Sequence, residues 1–433
     1  MPDFFGKKEN IIKSNNSEIK KYKIKSDKNG NLILPDKLKR KLGLNGCTEI
    51  NVTVQKNKIT LFPNIHSLAK VYIEPTTLCN LMCQTCVRNT WNEPLGNMNI
   101  STFNKIIEDL KQFEELETVM FGGFGEPTFH KDILYMVKEV KSLGIKVEIT
   151  TNGTLLNKKI VKGLMDNRLD TLWISFDAAD ENVFEGIRKG ASFQKVLDNL
   201  TYLKSLNEIN EHKINIGLSF VIMKKNIDSL IHLEKLTSLI GASKVLISNV
   251  LPYSNDIVKE MVCYWSVAGV NKSENSLEIS LPLLDINDTS KKALYSLFRN
   301  NKHKISIMGN EIGAETSECR FIKERNTFIR WDGMVTPCMG LMHESRMYPF
   351  FQNNYDRKVK SYALGNVNDK TLKKIWDSHE YKEFREKVDN FDFSPCLRCG
   401  PCLLSSKNEE DCFGNTFPTC GGCLWAQGVI QCP

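Results

Sequence analysis

The stretch that decides the fold is Glu74-Pro-Thr-Thr-Leu-Cys79-Asn-Leu-Met-Cys83-Gln-Thr-Cys86. Its cysteines have CxxxCxxC spacing and come directly after a short apolar run that is typical of a buried strand. Cubane iron–sulfur clusters are held by cysteine thiolates, usually four of them. This loop supplies three, so it predicts a [4Fe–4S] cluster with one iron open to another ligand. A zinc site would need a fourth Cys or His, and none stands close in the sequence.

Around this loop the chain alternates between apolar strand patterns and amphipathic helical patterns. The predicted strands are Val71–Ile73, Thr118–Phe121, Lys146–Thr150, Thr171–Phe176, Ile214–Ile222 and Val245–Val250. The helical stretches between them include Phe103–Phe113, Ile133–Leu143, Phe193–Leu203 and Ile227–Ile240. Six βα units with right-handed crossovers predict an α/β fold, a partial (βα)6 barrel. The active site of such a barrel lies at the C-terminal ends of its strands.

Polar and glycine motifs follow the second, third and fourth predicted strands. They are Gly122-Gly123-Phe-Gly-Glu126, Thr151-Asn152-Gly153 and Ser175-Phe-Asp177, with Arg188 shortly after the last. Each motif has an ordinary alternative: a bulge at a strand end, a turn dipeptide or a surface ion pair. Their placement at successive strand ends favours one shared site.

The cysteine loop and these motifs together resemble the radical S-adenosylmethionine (SAM) superfamily. The resemblance implies that Cys79, Cys83 and Cys86 are catalytic and hold the cluster that reductively cleaves SAM to an adenosyl radical. It assigns SAM binding to the residues at the strand ends, Gly122, Gly123, Glu126, Asn152, Ser175, Asp177 and Arg188. Glu126 is expected to meet the methionine amino group and Arg188 its carboxylate, which a guanidinium binds in bidentate fashion. The family usually has an aromatic residue before the third cysteine, and here Thr85 stands in its place.

Nine of the fourteen cysteines lie between Cys319 and the end of the sequence. Cys319-x13-Gly333-x4-Cys338 and the later Cys396-x2-Cys399 resemble the SPASM extension, which implies two auxiliary [4Fe–4S] clusters. The motif would next place a cysteine at position 405, which is Ser405. The predicted metal ligands of this region are Cys319, Cys338, Cys396, Cys399, Cys402, Cys412, Cys420, Cys423 and Cys432.

The spacing of these nine cysteines does not assign individual ligands. They can fill two four-cysteine clusters with one cysteine left over, or one full cluster and one open cluster. A zinc ribbon built from the pairs at 396/399 and 420/423 is the alternative. The isolated Cys47 and Cys263 are predicted to be small buried apolar residues.

Residues 1–66 carry fourteen basic and six acidic residues, a net charge of +8, whereas the remaining 44 basic and 45 acidic residues nearly cancel. The segment KIKSDKNGNLILPDKLKRKLGLNGCTEINV resembles the AbrB-type swapped hairpin, which implies an interleaved homodimer. A basic surface suits an acidic protein partner or nucleic acid. We expect this module to bind protein or peptide, and not to read DNA.

The predicted domains are a disordered tail at 1–17, the AbrB-like module at 18–66, the radical SAM barrel at 67–255, a helical connector at 256–318 and a SPASM-like domain at 319–433. No apolar run approaches the length of about 18 residues that a membrane span needs. The N-terminus lacks the apolar region of a secretory signal. A cytoplasmic location without membrane attachment is therefore predicted, where clustered cysteines bind metal more often than they form disulfides.

The run from Lys70 to Pro433 is similar to one SPASM subfamily, the predicted maturases of tungsten-containing aldehyde oxidoreductases. The matching segments are CQTCVRNTWNEPLG, ISNVLPYS, IRWDGMVTPCMGLMH and DCFGNTFPTCGGCLWAQGVIQCP. The similarity implies hydrogen abstraction from a protein or peptide substrate during maturation of such an oxidoreductase or its cofactor. It also implies a reducing donor such as ferredoxin or flavodoxin.

Three other functions compete with this prediction. The first is modification of a ribosomally made peptide by the same chemistry. The second is a DNA-binding iron–sulfur regulator, and the third is a plain electron carrier. The complete CxxxCxxC loop together with Glu126 and Arg188 disfavours the last two, because neither function needs an open iron or a SAM site.

Overall fold

The computed structural model describes residues 24–44, 50, 52–55, 58–263, 278–281, 304–307, 310–312, 318–347, 357–394, 396 and 402–433. The predicted tail at 1–17, Cys47 and Cys399 lie outside these residues. The chain divides into two compact units, Met1–Leu68 and Ala69–Pro433. Among the described residues, no helix combines the length and the apolar character that crossing a membrane requires.

The described part of the N-terminal unit consists of two hairpins and one helix. Strands β1 (Lys25–Ser26) and β2 (Leu32–Ile33) pair antiparallel, as do β3 (Val52–Gln55) and β4 (Lys58–Leu61). Helix α1 (Asp36–Leu42) begins directly after Pro35, whose fixed φ suits a helix start. Apolar side chains of both hairpins remain exposed; the exposed fraction is 66% for Leu32 and 74% for Val54. The resemblance to the AbrB fold stays a prediction.

The second unit contains the predicted barrel. Its six strands are β5 (Lys70–Ile73), β6 (Thr118–Phe121), β7 (Lys146–Thr151), β8 (Thr171–Ser175), β9 (Asn215–Ile222) and β10 (Ala242–Asn249). They pair in sequence order, and every pair is parallel. The helices are α2 (Ile100–Leu110), α3 (Ile133–Ser142), α4 (Lys158–Asp166), α5 (Glu181–Ile187), α6 (Phe193–Ile209) and α7 (Leu233–Ile240). The predicted partial (βα)6 barrel is confirmed.

Burial explains why these strands were readable from sequence. Val71, Ile73, Val119 and Ile149 are fully buried, as expected for parallel strands that are covered by helices. Some helices begin at a side-chain cap: the Asn157 side chain accepts a hydrogen bond from the Ile160 amide at the start of α4.

The sheet continues beyond the barrel into the C-terminal region. Strand β14 (Asn326–Ile329) pairs parallel with β5, and the antiparallel strands β15 (Met334–Thr336) and β18 (Gly365–Asn366) follow at the edge. The result is one nine-stranded, mostly parallel sheet. The radical SAM barrel and the cysteine-rich region are therefore joined through a backbone ladder that the sequence had not indicated.

The segment between them differs from the predicted helical connector. It begins with helix α8 (Asn255–Glu260), but strands β11 (Glu278–Leu281), β12 (Lys304–Ile307) and β13 (Asn310–Ile312) form a separate sheet. The prediction of a helical connector is wrong for these strands. Glu-Ile-Ser-Leu and Lys-Ile-Ser-Ile alternate polar and apolar residues, which is a strand pattern with a period of two.

The cysteine-rich region also has its own small core. Its remaining elements are α9 (Arg320–Lys323), the hairpin β16 (Ser345–Met347) and β17 (Arg357–Val359), α10 (Leu372–Trp376) and α11 (His379–Asn390). Arg385 is fully buried, with its guanidinium 3.8 Å from the ring centre of Trp376 and 4.5 Å from that of Tyr381. Cation–π contacts of this kind stabilise a buried guanidinium.

Candidate active site

A cavity of about 290 Å³ opens at the C-terminal ends of the barrel strands. Of the residues predicted to act there, nine line its wall: Cys79, Cys83, Cys86, Gly122, Gly123, Glu126, Asn152, Ser175 and Arg188. These residues come from the loop after β5, from the ends of β6, β7 and β8 and, for Arg188, from the position directly after helix α5. The structure therefore brings the predicted site residues together, with the exception of Asp177.

The cysteine loop is held by hydrogen bonds to its flanks. The hydroxyl of Thr76 donates to the carbonyl of Gly96 at 2.9 Å, and the amide of Leu78 donates back to that hydroxyl at 2.9 Å. The sulfur of Cys79 lies 3.4 Å from the amide of Leu81 and 3.8 Å from the side-chain amide of Asn152. N–H donors on a cluster thiolate raise the reduction potential of the cluster. Asn152 is thus placed to donate to the Cys79 sulfur and also to contact a ligand in the cavity.

Burial raises the pKa of the Cys79 thiol and raises that of the Cys83 thiol to about 11. Without iron these thiols are therefore protonated near neutral pH, and they ionise only as they bind a cation. Three half-buried thiols on one short loop fit the donor set of an iron–sulfur cluster.

The glycine turn after β6 packs against the start of the cysteine loop. Gly123 has a φ of +114°, and a Cβ there would lie 2.7 Å from the Cγ of Glu74. A Cβ on Gly125 would lie 2.1 Å from the carbonyl oxygen of Thr76. By contrast, the nearest atom to a Cβ on Gly122 is 3.9 Å away. Gly123 and Gly125 are therefore required by contacts within the protein.

Glu126 is buried at the end of this turn, with 2% of its surface exposed. One carboxylate oxygen accepts hydrogen bonds from the Thr151 hydroxyl at 2.6 Å and the Thr128 amide at 3.0 Å. The other accepts from the Asn152 amide at 2.7 Å. Burial raises the pKa of Glu126 although these donors lower it. A cationic ligand in the cavity would favour the ionised carboxylate.

Asp177 lies behind the wall of the cavity and is fully buried. Its carboxylate pairs with the guanidinium of Arg188 at 2.8 Å and accepts a hydrogen bond from the Val221 amide at 2.9 Å. The predicted direct contact of Asp177 with SAM does not match this position, because its oxygens are directed to protein groups. Ser175, two residues earlier, lines the cavity instead.

Arg188 retains an unused donor. Its Nε is buried and has no hydrogen-bond partner among the described residues. A buried donor of a charged group is costly while it has no partner, and the Arg188 side chain also lines the cavity. A carboxylate is the group that fits a guanidinium best. The cavity thus offers an anion partner at Arg188 and a cation partner at Glu126, as the amino-acid end of SAM requires.

A second cavity lies in the cysteine-rich region, and four cysteines line it: Cys319, Cys338, Cys420 and Cys423. Burial raises the pKa of all four thiols, that of Cys319 to about 12. Within the described residues, no three His, Cys, Asp or Glu side chains are arranged around a single metal ion. In a cubane each thiolate binds a different iron, so its ligands lie farther apart. Four thiols around one cavity fit such a cluster.

This cavity brings together cysteines from the beginning and the end of the cysteine-rich region. Cys420 and Cys423 share their cavity with Cys319 and Cys338, whereas the zinc-ribbon alternative would join them to Cys396. Cys402 and Cys412 are exposed. Spacing could not reveal this grouping, because the residues that share a cavity are about a hundred positions apart.

Cys432 lies elsewhere, on the wall of the radical cavity. Its sulfur accepts a hydrogen bond from the indole N–H of Trp425 at 3.2 Å. The surrounding segment 429–433 crosses the barrel: the side-chain amide of Asn249 donates to the carbonyl of Val429, and the hydroxyl of Tyr72 donates to that of Pro433. Sequence reasoning missed this part of the wall, for which no local pattern gives a signal.

Comparison with known proteins defines the class. The sequence model of the radical SAM superfamily matches residues 73–232, and that of an iron–sulfur cluster-binding domain, SPASM, matches residues 319–403. The chain belongs to the radical SAM superfamily and is an enzyme with a SPASM domain. Its radical SAM domain binds SAM and a [4Fe–4S] cluster, and its SPASM domain binds an iron–sulfur cluster.

A particular relative covers most of the chain. Over 370 residues the chain is 32% identical to the tungsten-containing aldehyde ferredoxin oxidoreductase cofactor-modifying protein of Pyrococcus furiosus, spanning 84% of this chain and 96% of that protein. It is 30% identical over 162 residues to an S-adenosylmethionine-dependent nucleotide dehydratase of Selenomonas ruminantium, of which it covers 58%. Streptococcus suis SuiB bound to S-adenosylmethionine matches with a TM-score of 0.49 and 18% identity, over 80% of this chain and 73% of that one.

Proposed function

We propose that this enzyme acts in the maturation of a tungsten-containing aldehyde oxidoreductase or of its cofactor. The observation that carries the proposal is the 32% identity to a cofactor-modifying protein over 96% of that protein's length. This match includes the cysteine-rich region, whereas the nucleotide dehydratase is matched over only 37% of this chain. The shared part thus extends well beyond the SAM-binding half.

Within this proposal, Cys79, Cys83 and Cys86 hold the radical SAM cluster. Glu126 binds the methionine amino group of SAM, and Arg188 binds its carboxylate through the free Nε. Asp177 is a positioning residue that holds the guanidinium at the cavity wall. Ser175 and Asn152 contact the remainder of the cofactor, and Asn152 also donates to the Cys79 sulfur.

When bound, the reduced cluster supplies the electron that cleaves SAM to the 5′-deoxyadenosyl radical, which abstracts hydrogen from the substrate. The chain's own contribution is to orient SAM and exclude water. Residues 430–433 form part of the cavity wall, and the segment 429–433 is held there by hydrogen bonds with Asn249, Ser248 and Tyr72. Such a wall protects a reactive species from solvent.

We further propose that the SPASM-like domain, 319–433, holds two auxiliary clusters. Cys319, Cys338, Cys420 and Cys423 hold the first, because they surround one cavity. The cysteines at 396, 399, 402 and 412 remain for the second. Cys432 is then the one left over, and its place in the radical cavity supports this count.

The decisive experiment uses an aldehyde oxidoreductase that is produced without this enzyme. Anaerobically reconstituted enzyme, SAM and a reductant should release 5′-deoxyadenosine and restore aldehyde oxidation when mixed with the immature oxidoreductase. Cys83→Ala should abolish both effects, whereas Cys263→Ala, a buried cysteine outside the predicted ligands, should abolish neither. Undiminished restoration by Cys83→Ala would contradict the radical mechanism. Modification of a short ribosomal peptide, with no effect on the oxidoreductase, would instead support the peptide alternative.

A further inference from the structure

A buried histidine outside the radical cavity joins three segments of the chain. His343 follows the turn after Cys338, and 3% of its surface is exposed. Its Nε2 lies 2.9 Å from a carboxylate oxygen of Glu74, at the end of β5. Its Nδ1 lies 2.7 Å from a carboxylate oxygen of Glu93, in the loop after the three cysteines.

The two contacts define the charge of the ring. An ionised carboxylate can only accept hydrogen bonds, so both ring nitrogens must donate, and only the imidazolium has two donors. Burial alone would lower the pKa of His343, but the hydrogen bonds to Glu74 and Glu93 outweigh burial and raise it. Glu74 has 1% of its surface exposed, and such a buried charge is costly without a partner.

Other charged, polar and aromatic groups also contact this cluster. Arg330, at the end of β14, lies 3.3 Å from Glu93 and also pairs with Asp332 at 3.0 Å. The second oxygen of Glu93 accepts the amide N–H of Glu344 at 2.7 Å. The indole of Trp91 covers the imidazole, with 4.2 Å between ring centres. The histidine is thus the cation that lies between the two carboxylates.

Glu74 connects this cluster to the SAM site. Its second oxygen accepts the amide N–H of Phe124 at 3.1 Å, in the middle of the glycine turn. Gly123 packs so closely on the Glu74 side chain that no Cβ could be inserted. The position of Glu74 therefore fixes the turn that ends in Glu126.

We propose that His343 is a positioning residue whose imidazolium, clamped between Glu74 and Glu93, holds the glycine turn in the form that receives SAM. Since His343 belongs to the cysteine-rich region and the turn to the barrel, the clamp couples SAM affinity to the packing of the SPASM domain. The inference rests on the proposed role of Glu126 in binding SAM, but it does not depend on the substrate.

The test is SAM binding to the reconstituted protein across a pH series, measured by equilibrium dialysis. His343→Gln keeps one donor and similar size but removes the charge. We expect its dissociation constant for SAM to rise about tenfold near pH 6.5, since charged hydrogen bonds are the stronger ones. Cluster iron should stay at the parental level, because no cysteine is changed.

The pH profile separates positioning from a general structural effect. A histidine with a raised pKa is charged at low pH and loses its proton as the pH rises through that raised value. Parental affinity should therefore fall across this step, and the step should be absent in His343→Gln. The matched control is His130→Gln: His130 is also buried, but its Nε2 faces the Met98 carbonyl and its Nδ1 accepts the Asp132 amide, as a neutral ring does. His130→Gln should retain the pH-dependent fall in SAM affinity.

If His343→Gln does not fold, Glu93→Gln provides the test of the proposal. This substitution removes one of the two carboxylates that contact the imidazole. The fall in SAM affinity should therefore occur at lower pH, and the affinity should decrease less than in His343→Gln. Overlapping pH profiles for the parent and either folded variant, with affinities within twofold, would overturn the proposal. That result would leave the role in oxidoreductase maturation untouched, because SAM binding is measured without substrate.

Discussion

At the scale of single residues, the radical site depends on charged groups that the fold buries and then leaves partly unsatisfied. Arg188 is paired with Asp177 on one side, yet its Nε faces no partner among the described residues. The Glu126 carboxylate accepts hydrogen bonds from hydroxyl and amide donors, which favour its ionised form, but burial still raises its pKa until a cationic ligand binds. A charge preorganised in this way binds a complementary ligand without having to be reordered.

Arg188→Ala should weaken SAM binding by about ten- to a hundredfold, since one charge-assisted hydrogen bond is worth roughly 1.5–3 kcal/mol. Iron content should be unchanged because no thiol is touched. Isothermal titration of the reconstituted variant checks the affinity, with Lys162→Ala, which removes an exposed charge on α4, as the control. An affinity within twofold of the parent would refute the assignment.

At the scale of elements, the glycine turn and the cysteine loop form one packed unit. Gly125→Ala would force a methyl group onto the carbonyls of Thr76 and Leu78, 2.1 and 2.7 Å away. We expect the turn or the loop to shift, with a stability loss of about 1–3 kcal/mol or more and reduced loading of the radical cluster. Thermal unfolding and iron analysis measure both effects.

Gly186→Ala is the matched control for this substitution. No atom lies within 4 Å of a Cβ at that position in helix α5, so the extra methyl group has open space. This variant should unfold at or above the parental temperature, because alanine favours a helix more than glycine does. Equal behaviour of the two variants would show that the contact at Gly125 does not matter.

The auxiliary clusters belong to the same scale. Cys420→Ala should lose about four irons per chain, the content of one cubane, because it removes a ligand from the four-cysteine cavity. Cys432→Ser should keep the parental iron content, since that thiol faces the radical cavity. Iron analysis with Mössbauer spectroscopy distinguishes these outcomes. Iron loss in Cys432→Ser, or stoichiometric zinc in the parent, would contradict the ligand assignment.

At the scale of the whole molecule, the chain divides into a basic N-terminal unit, Met1–Leu68, and a unit that carries the radical cavity, Ala69–Pro433. Deleting residues 1–66 should leave SAM cleavage without substrate intact, because the described residues that line the radical cavity all lie between Tyr72 and Pro433. It should slow modification of the true substrate if the module docks an acidic partner, since complementary charge raises the encounter rate.

High salt should reproduce part of this effect, because exposed charges are screened beyond roughly 10 Å at 0.1 M salt. The measurement compares 5′-deoxyadenosine release with and without substrate, at low and high salt. Equal substrate turnover by the full-length and shortened enzymes would rule out a docking role. Tight, sequence-selective binding of the module to duplex DNA would favour the regulator alternative.

The barrel and the cysteine loop could both be predicted from the sequence. Both are local patterns: buried parallel strands are continuous apolar runs, and three thiolates on one loop need only short spacing. The strand ends then placed Glu126, Asn152 and Ser175 at one edge. Residues 73–232, which match the radical SAM model, contain the cysteine loop and most of the predicted strands.

Which distant residues share a site could be seen only in the folded chain. Cys319 and Cys423 line one cavity although they are 104 positions apart (423 − 319), and Cys432 lines another. His343 meets Glu74 through the parallel pairing of β14 with β5, which no periodicity in either segment indicates. Spacing reports contacts along one strand or loop, whereas contacts between such elements depend on how the sheet continues beyond the barrel.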